Sequence, residues 1–307
     1  MTNPKLASVK AGIGFIGTGA VGSNLALAFY KKGHAISGLT SRSLVSAVAL
    51  QSLIPGSTVY ESYQDVVDVS SLVFLTVPDD AIENVTESIN WSDHPGVVHC
   101  SGVRSLDALT AARAQGAMIG TFHPLFTFVS RKIEHSTELP SFAWAIEGDP
   151  ALSKELDGLA VSLGGWPLHL SSEDRILYHA SAVMACGLLV ALLDQTTELW
   201  KHFQGANSNW KADSLRSILP LAQATLANVA EKGLSNSFTG PLSRGDFSTV
   251  ERHLESLSKQ SRDSVNLYCQ LTLASLPLAM ERGNLTIEDQ KFIEGLVGKY
   301  SILQNKR

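Results

Sequence analysis

From Ala11 to about Leu170, short apolar runs alternate with stretches whose apolar residues recur at helical spacing, the pattern of a parallel sheet covered by helices. Strands are predicted at Ile13–Ile16, Ala35–Leu39, Leu72–Val77, Val97–His99, Met118–Phe122, Phe142–Glu147 and Trp166–His169. Crossover helices are predicted over Val21–Lys32, Ala81–Ile89, Leu106–Gln115 and Ala151–Leu163. The first of these puts Val21, Leu25, Ala28 and Phe29 on one face, and Gly33 stands where a left-handed residue would end it.

After Ser171 the β-branched runs stop and long helical periods take over, over Glu173–Phe203, Ser214–Lys232, Phe247–Lys259, Arg262–Arg282 and Thr286–Tyr300. Thr286 and Asp289 have the spacing of a helix start. The expected organisation is an α/β domain with a mostly parallel sheet over residues 1–170, followed by an all-α domain over 171–307. The most apolar stretch, His179–Leu193, is interrupted by His179, Ser181 and Gly187 and falls short of the ~20 residues a membrane span needs. A buried helix is the expectation there, and no membrane partner.

The first strand runs into Gly17-Thr18-Gly19-Ala20-Val21-Gly22 and then into a helix. In that order, Gly17 permits the tight turn, Gly19 lets a pyrophosphate approach the backbone, and Gly22 lets helix and strand pack closely. Amides at the helix start, helped by its dipole, then face the phosphates, which makes Gly17, Thr18, Gly19, Ala20 and Val21 candidate cofactor contacts in a Rossmann domain. A structural turn or a flavin site would share the motif. An acidic residue at the end of the second strand would hold the ribose hydroxyls of NAD, but Thr40, Ser41 and Arg42 stand there. Hydroxyls and a guanidinium suit a 2′-phosphate, so NADP is expected rather than NAD, with Arg42 as a plain solvated charge the competing reading.

Ligands in open parallel sheets lie beyond the carboxyl ends of strands, which adds Val77, Pro78, Ser101 and Gly102 to the cofactor candidates. Asp79 and Asp80 fit a helix cap equally well, and Cys100 reads as a small buried residue. His123, with Pro124, follows another strand and is a candidate proton donor or electrostatic partner; ordering its loop is the competing role. His179 is a second candidate, flanked by small residues that allow close approach, although a core histidine would look the same. Arg244, between Gly240 and Gly245, is placed to grip a carboxylate or, more plainly, to pair with Asp246 at a helix turn.

A formal charge of −5 and the lack of a Lys/Arg run exclude general attraction to nucleic acid, so an anionic ligand needs a local site. Hydrophobic residues at 44% and charged residues at 17% suit a packed globular chain. Cys100, Cys186 and Cys269 form neither a disulfide framework nor a metal pair, and the polar stretch Met1–Lys10 lacks the apolar core of a signal peptide. A reducing cytoplasm and no metal are expected.

Taken with Thr76-Val77-Pro78-Asp79, Cys100-Ser101-Gly102, His123-Pro124-Leu125, Tyr178-His179-Ala180 and Gly240-Pro241-Leu242-Ser243-Arg244-Gly245-Asp246, the glycine turn makes nearly the whole chain resemble a family of Rossmann-like proteins. Their C-terminal half is a domain of unknown function, and their relatives are pyrroline-5-carboxylate reductase, prephenate dehydrogenase and ketopantoate reductase. The resemblance implies an NADP-linked oxidoreductase whose helical domain, similar to the C-terminal domain of 6-phosphogluconate dehydrogenase, helps build a homodimer. Where such members often carry an Asn after the Tyr-His pair, this chain has Cys186-Gly187.

The expected activity is NADPH-dependent reduction of C=O or C=N in a small metabolite, a carboxylate such as the 2-oxo acid ketopantoate or a cyclic imine acid. His123, His179 and Arg244 would carry it. A dinucleotide-binding sensor or assembly protein without turnover, and an NAD-linked dehydrogenase, are the competing readings.

Overall fold

The computed structural model describes residues 12–92, 96–128, 139–204 and 209–302; the stretch Met1–Lys10 lies outside them. Eight strands form one sheet: β1 (Ile13–Ile16), β2 (Ile36–Thr40), β3 (Thr58–Val59), β4 (Leu72–Leu75), β5 (Gly96–His99), β6 (Met118–Pro124), β7 (Ala143–Gly148) and β8 (Trp166–His169). Their order is β3-β2-β1-β4-β5-β6-β7-β8. All pairings are parallel except β6 with β7.

Helices α1 (Ala20–Lys31), α2 (Leu44–Gln51), α3 (Tyr63–Val69), α4 (Ile82–Glu87), α5 (Thr110–Ala114) and α6 (Pro150–Ser162) supply the crossovers. The central strands β1, β4 and β5 are buried on both faces because both are covered. On one face Phe15 stacks on Phe74 at 5.3 Å between ring centres and Phe122 on Trp144 at 4.4 Å, with Phe29 of α1 between them. On the other, Ile16, Val73, Leu75, Val97 and Ile119 pack against α3, α4 and α5. Gly33 does end α1: its φ is +87°, and the His34 amide donates to Phe29 O. The edge strand β3 escaped the hydrophobic pattern because two residues are too few to show a period.

The strands stop at His169, yet the first compact unit runs to Gly187 and the second begins at Leu188, where the sequence pattern placed the boundary after residue 170. The reason is α7 (Arg175–Ala185), whose first turn sends Arg175 and Tyr178 into the sheet. A break at Cys186 (φ −117°, ψ −83°) separates α7 from α8 (Gly187–Leu199).

The second unit continues through α9 (Lys201–Gln204), α10 (Trp210–Lys232), α11 (Leu234–Ser237), α12 (Phe247–Ser258), α13 (Arg262–Glu281) and α14 (Ile287–Ile302). Val250 and Leu254 of α12, Val265, Cys269 and Leu276 of α13, and Ile293 and Val297 of α14 form its core. Asp246 and Ser261 cap α12 and α13 through their side chains. At α14 the Asp289 carboxylate accepts from the Thr286 amide while Thr286 Oγ1 accepts from the Asp289 amide, the reciprocal start anticipated there.

One expectation is overturned. The helical run Arg175–Phe203 is long and apolar enough, by length and composition, to cross a membrane, and 6% of its most apolar window is buried. Ile176, Leu177, Met184, Leu188 and Val190 are all more than half exposed. The run is apolar on more than the side that meets this chain, so the buried helix read from the sequence is an exposed one.

Candidate functional site

The glycine turn is built as its sequence requires. Gly17 has φ +107°, and a Cβ there would lie 2.5 Å from Thr76 O. A Cβ at Gly22 would lie 2.2 Å from Gly17 O and 2.4 Å from Thr76 Oγ1. Thr76, at the end of β4, grips the turn by donating its hydroxyl to Gly17 O at 2.6 Å. Gly19 differs, because nothing lies within 4 Å of a Cβ built on it. No side chain caps α1 and its first turn holds no acid, which leaves the amides of Ala20 and Val21 to an anionic ligand. These features fit a dinucleotide pyrophosphate.

Beside the turn lies a cleft of about 390 Å³ lined by Thr18, Ser43, Ser46, Leu53 and neighbours. Thr18 Oγ1 and Ser46 Oγ are 2.6 Å apart, joining the glycine turn to α2. At the end of β2, Thr40 Oγ1 is buried without a hydrogen-bond partner, an orphan of the kind a ligand satisfies. Ser41 is half-buried and Arg42 exposed, the latter free to reach a phosphate. Asp79 and Asp80 open a short 3-10 turn in which neither acts as a side-chain cap. Val77 is half-buried and Pro78 exposed at the end of β4.

The carboxyl ends of β5 and β6 gather the second half of the site. His123 Nδ1 lies 2.7 Å from the Tyr178 hydroxyl, and the His123 and His179 rings are 6.5 Å apart. Both imidazoles close on Gly102, where a Cβ would come within 2.7 Å of His123 Nε2 and 2.8 Å of His179 Cδ2. His123 and His179, taken separately from the sequence, therefore share one locus with Ser101 and Gly102. Gly102→Ala is expected to push the imidazoles apart rather than unfold the chain, since ring edges yield more easily than backbone. The expected cost is about 1–3 kcal/mol of stability with a loss of turnover of about tenfold or more, read by urea unfolding beside steady-state kinetics.

Beneath the imidazoles lies a polar network around Arg175. Its Nη2 donates to Glu147 Oε2 at 2.8 Å and Thr121 Oγ1 at 2.7 Å, Nε donates to Glu147 Oε2 at 3.2 Å, and Nη1 to Ser101 O at 3.3 Å. Ser172 donates to the other Glu147 oxygen. His99 Nδ1 accepts from the Ser101 amide, which leaves its proton on Nε2, donated to Ser105 O.

Burial pulls His99 down to about 4. His123 is likewise held at about 4, first by burial and then by the positive fields of His179, Arg175 and His99. Burial raises the Tyr178 phenol to about 12, against the pull of Arg175. Both histidines are thus neutral at pH 7 and Tyr178 keeps its proton. A histidine depressed on folding binds fewer protons than its unfolded form, so its stabilisation is complete above about 6.5 and is lost as pH falls toward 4. Urea unfolding at pH 5 is expected to show about 1–2 kcal/mol less stability per histidine than at pH 7. An unchanged midpoint would mean that both rings already titrate normally.

Burial also pushes the Cys100 thiol far up; the residue, read from the sequence as buried, is half-buried and packs against the core. Arg244 is the exposed residue of the turn Leu242–Arg244 in the second unit, before the left-handed Gly245; the Asp246 carboxylate that caps α12 is held low by hydrogen bonds from Thr249 and Ser248 and, least, by the charge of Arg244. Arg175, Glu147, Thr121 and the role of Tyr178 escaped the sequence reading. The signal was there in part: Arg175, Tyr178 and His179 share a face by helical spacing, and Thr121 and His123 share one by strand alternation.

Residues 1–124 match the family described as a Rossmann-like domain, and residues 142–275 the family described as Domain of unknown function (DUF2520). No curated protein matches the chain. Among solved structures, protein TM1727 from Thermotoga maritima is similar over 88% of this chain and 98% of its own, at 23% identity and a TM-score of 0.69. A reductive aminase from Aspergillus terreus, in complex with NADPH and ethyl-5-oxohexanoate, is similar over 97% of this chain and 96% of its own, at 16% identity and a TM-score of 0.58. A 1-pyrroline-5-carboxylate reductase from Streptococcus pyogenes is similar over 95% and 99%, at 18% identity and a TM-score of 0.56. Identities this low establish a shared fold.

Proposed function

We propose that this chain, which joins a Rossmann-like domain to a DUF2520 domain, is an NADPH-dependent reductase of a small anionic metabolite. The observation that carries the reading is the His123–Tyr178–His179 cluster at the carboxyl ends of the strands, in the same unit as a glycine turn open at Gly19. Gly17, Gly19 and the α1 amides would hold the pyrophosphate, and Thr40, Ser41 and Arg42 the 2′-phosphate. NADPH bound there supplies a hydride from its nicotinamide.

A carbonyl gains negative charge on oxygen as it is reduced, and a neutral imidazole beside a protonated phenol is a donor pair for that oxygen. With Tyr178 donating to His123 Nδ1, the imidazole presents Nε2–H toward Gly102. A 2-oxo acid such as ketopantoate is the first candidate substrate. A cyclic imine acid is the second candidate, supported by the pyrroline-5-carboxylate reductase and reductive aminase of the same fold.

The exposed apolar run Arg175–Phe203 is proposed to be covered by a second copy of the chain, giving a homodimer that works in the cytoplasm. Light scattering on the purified chain tests the dimer, and a monomer would contradict it. Loss of reduced-nicotinamide absorbance with a panel of 2-oxo acids and cyclic imine acids tests the activity. Tight NADPH binding without turnover of any member would instead favour a sensor.

A further inference from the structure

Arg175 is fully buried, and its four hydrogen bonds end on three different segments of the sheet. Ser101 directly precedes Gly102, Thr121 stands two residues before His123 on β6, and Glu147 pairs with Thr121 across β6 and β7. On its own helix Arg175 lies three and four residues before Tyr178 and His179, on the same face. Each segment that supplies a wall of the imidazole cluster is therefore tied to one guanidinium. A buried ion pair is seldom retained for stability, since apolar residues of similar volume do as well or better. What it supplies here is geometry. A planar fork can bridge three segments at fixed angles, whereas a lysine ammonium, with all its donors on one atom, cannot.

We infer that Arg175, clamped by Glu147, is a positioning residue that sets the Tyr178–His123 pair against the Ser101–Gly102 loop and so fixes which imidazole nitrogen faces the substrate. This rests on the reading that the pair borders the reacting group. Arg175 acts through Tyr178 and His123 and touches no substrate itself. The charged and titratable groups around His123 are Tyr178, His179 and Arg175 from α7 and His99 from β5, with Glu147 of β7 facing Arg175 and Asp79 and Arg104 facing His99. Among them Arg175 is a fixed cation that disfavours protonation of His123.

The test compares the full-length chain with Arg175→Lys and with the double variant Arg175→Met/Glu147→Met, which removes both charges together. Histidine ring-nitrogen NMR reads the tautomer and titration of His123, calorimetry reads NADP+ binding, and NADPH oxidation reads turnover. In both variants NADP+ affinity is expected to stay within about threefold, because the glycine turn is untouched. His123 is expected to lose its single tautomer in both variants, and in the double variant its midpoint should rise, since the fixed cation beside it is gone. Turnover should fall by about tenfold to a hundredfold with KM for NADPH unchanged. Should the double variant fail to fold, Arg175→Lys alone decides through the tautomer. His123 signals and midpoint identical to the parent's in a folded variant would overturn the inference. The NMR arm needs no substrate, so a chain that reduces nothing would sink the proposed activity while leaving the positioning role to be judged on its own signal.

Discussion

Gly19→Ala is expected to fold and to lose nucleotide binding, whereas Gly22→Ala is expected to lose much of its stability. The two glycines belong to one motif, and their surroundings in the structure differ. Nothing lies within 4 Å of a Cβ at Gly19, so alanine adds a methyl to open space. That space is where a pyrophosphate must approach the start of α1, and the methyl blocks it. A rise in NADPH dissociation constant of about a hundredfold, or 2.7 kcal/mol, is expected, with the unfolding midpoint little changed. At Gly22 the methyl would sit 2.2 Å from the Gly17 carbonyl oxygen, which is backbone and itself held by Thr76. Relief requires α1 to lift from β1, at a cost of about 3 kcal/mol or more out of the 5–15 kcal/mol that holds a typical protein folded. Urea unfolding paired with a fluorescence titration distinguishes the two, and Gly19→Ala binding NADPH as the parent does would show that this turn is structural only.

The second large effect is expected at His123. In His123→Ala, kcat should fall by about 10² to 10⁴, the range for loss of a proton donor, with KM for NADPH changed by no more than a few fold. The variant also leaves the Tyr178 hydroxyl without its partner in a buried place, which should cost about 1–3 kcal/mol of stability. Tyr178→Phe should lose less activity, because the imidazole stays. The double variant should be no slower than His123→Ala alone, since a pair that acts as a unit is lost once. Full additivity in that cycle would mean that the two side chains work apart.

Much of the fold was legible because its signals are periodic. Seven of the strands alternate with helices strongly enough to be placed within a few residues, and the switch to helix after Ser171 is a change of period. Legibility failed where periodicity carries no information. The two-residue β3 has no period, and the burial of Arg175–Phe203 depends on what lies beside it, which hydrophobicity does not report. At the site, the glycine turn could be read because its backbone demands specific residues at fixed offsets. The meeting of His123 and His179 on Gly102 could not, since Gly102, His123 and His179 come from separate segments brought together by the winding of the sheet. Arg175 was hidden for another reason: a charged residue at the start of a helix usually faces solvent, and only Glu147 and Thr121, distant in sequence, reverse that expectation. The domain boundary moved for the same cause, because Arg175 and Tyr178 keep α7 with the sheet.

The most direct test is calorimetric titration of the folded full-length chain with NADP+ and, separately, with NAD+. Saturable uptake of one NADP+ per chain, at least about tenfold tighter than NAD+ and weakened by Arg42→Ala, is the result expected from the Gly19 opening and the Thr40–Arg42 strand end. Folded protein that takes up neither dinucleotide would contradict the redox assignment.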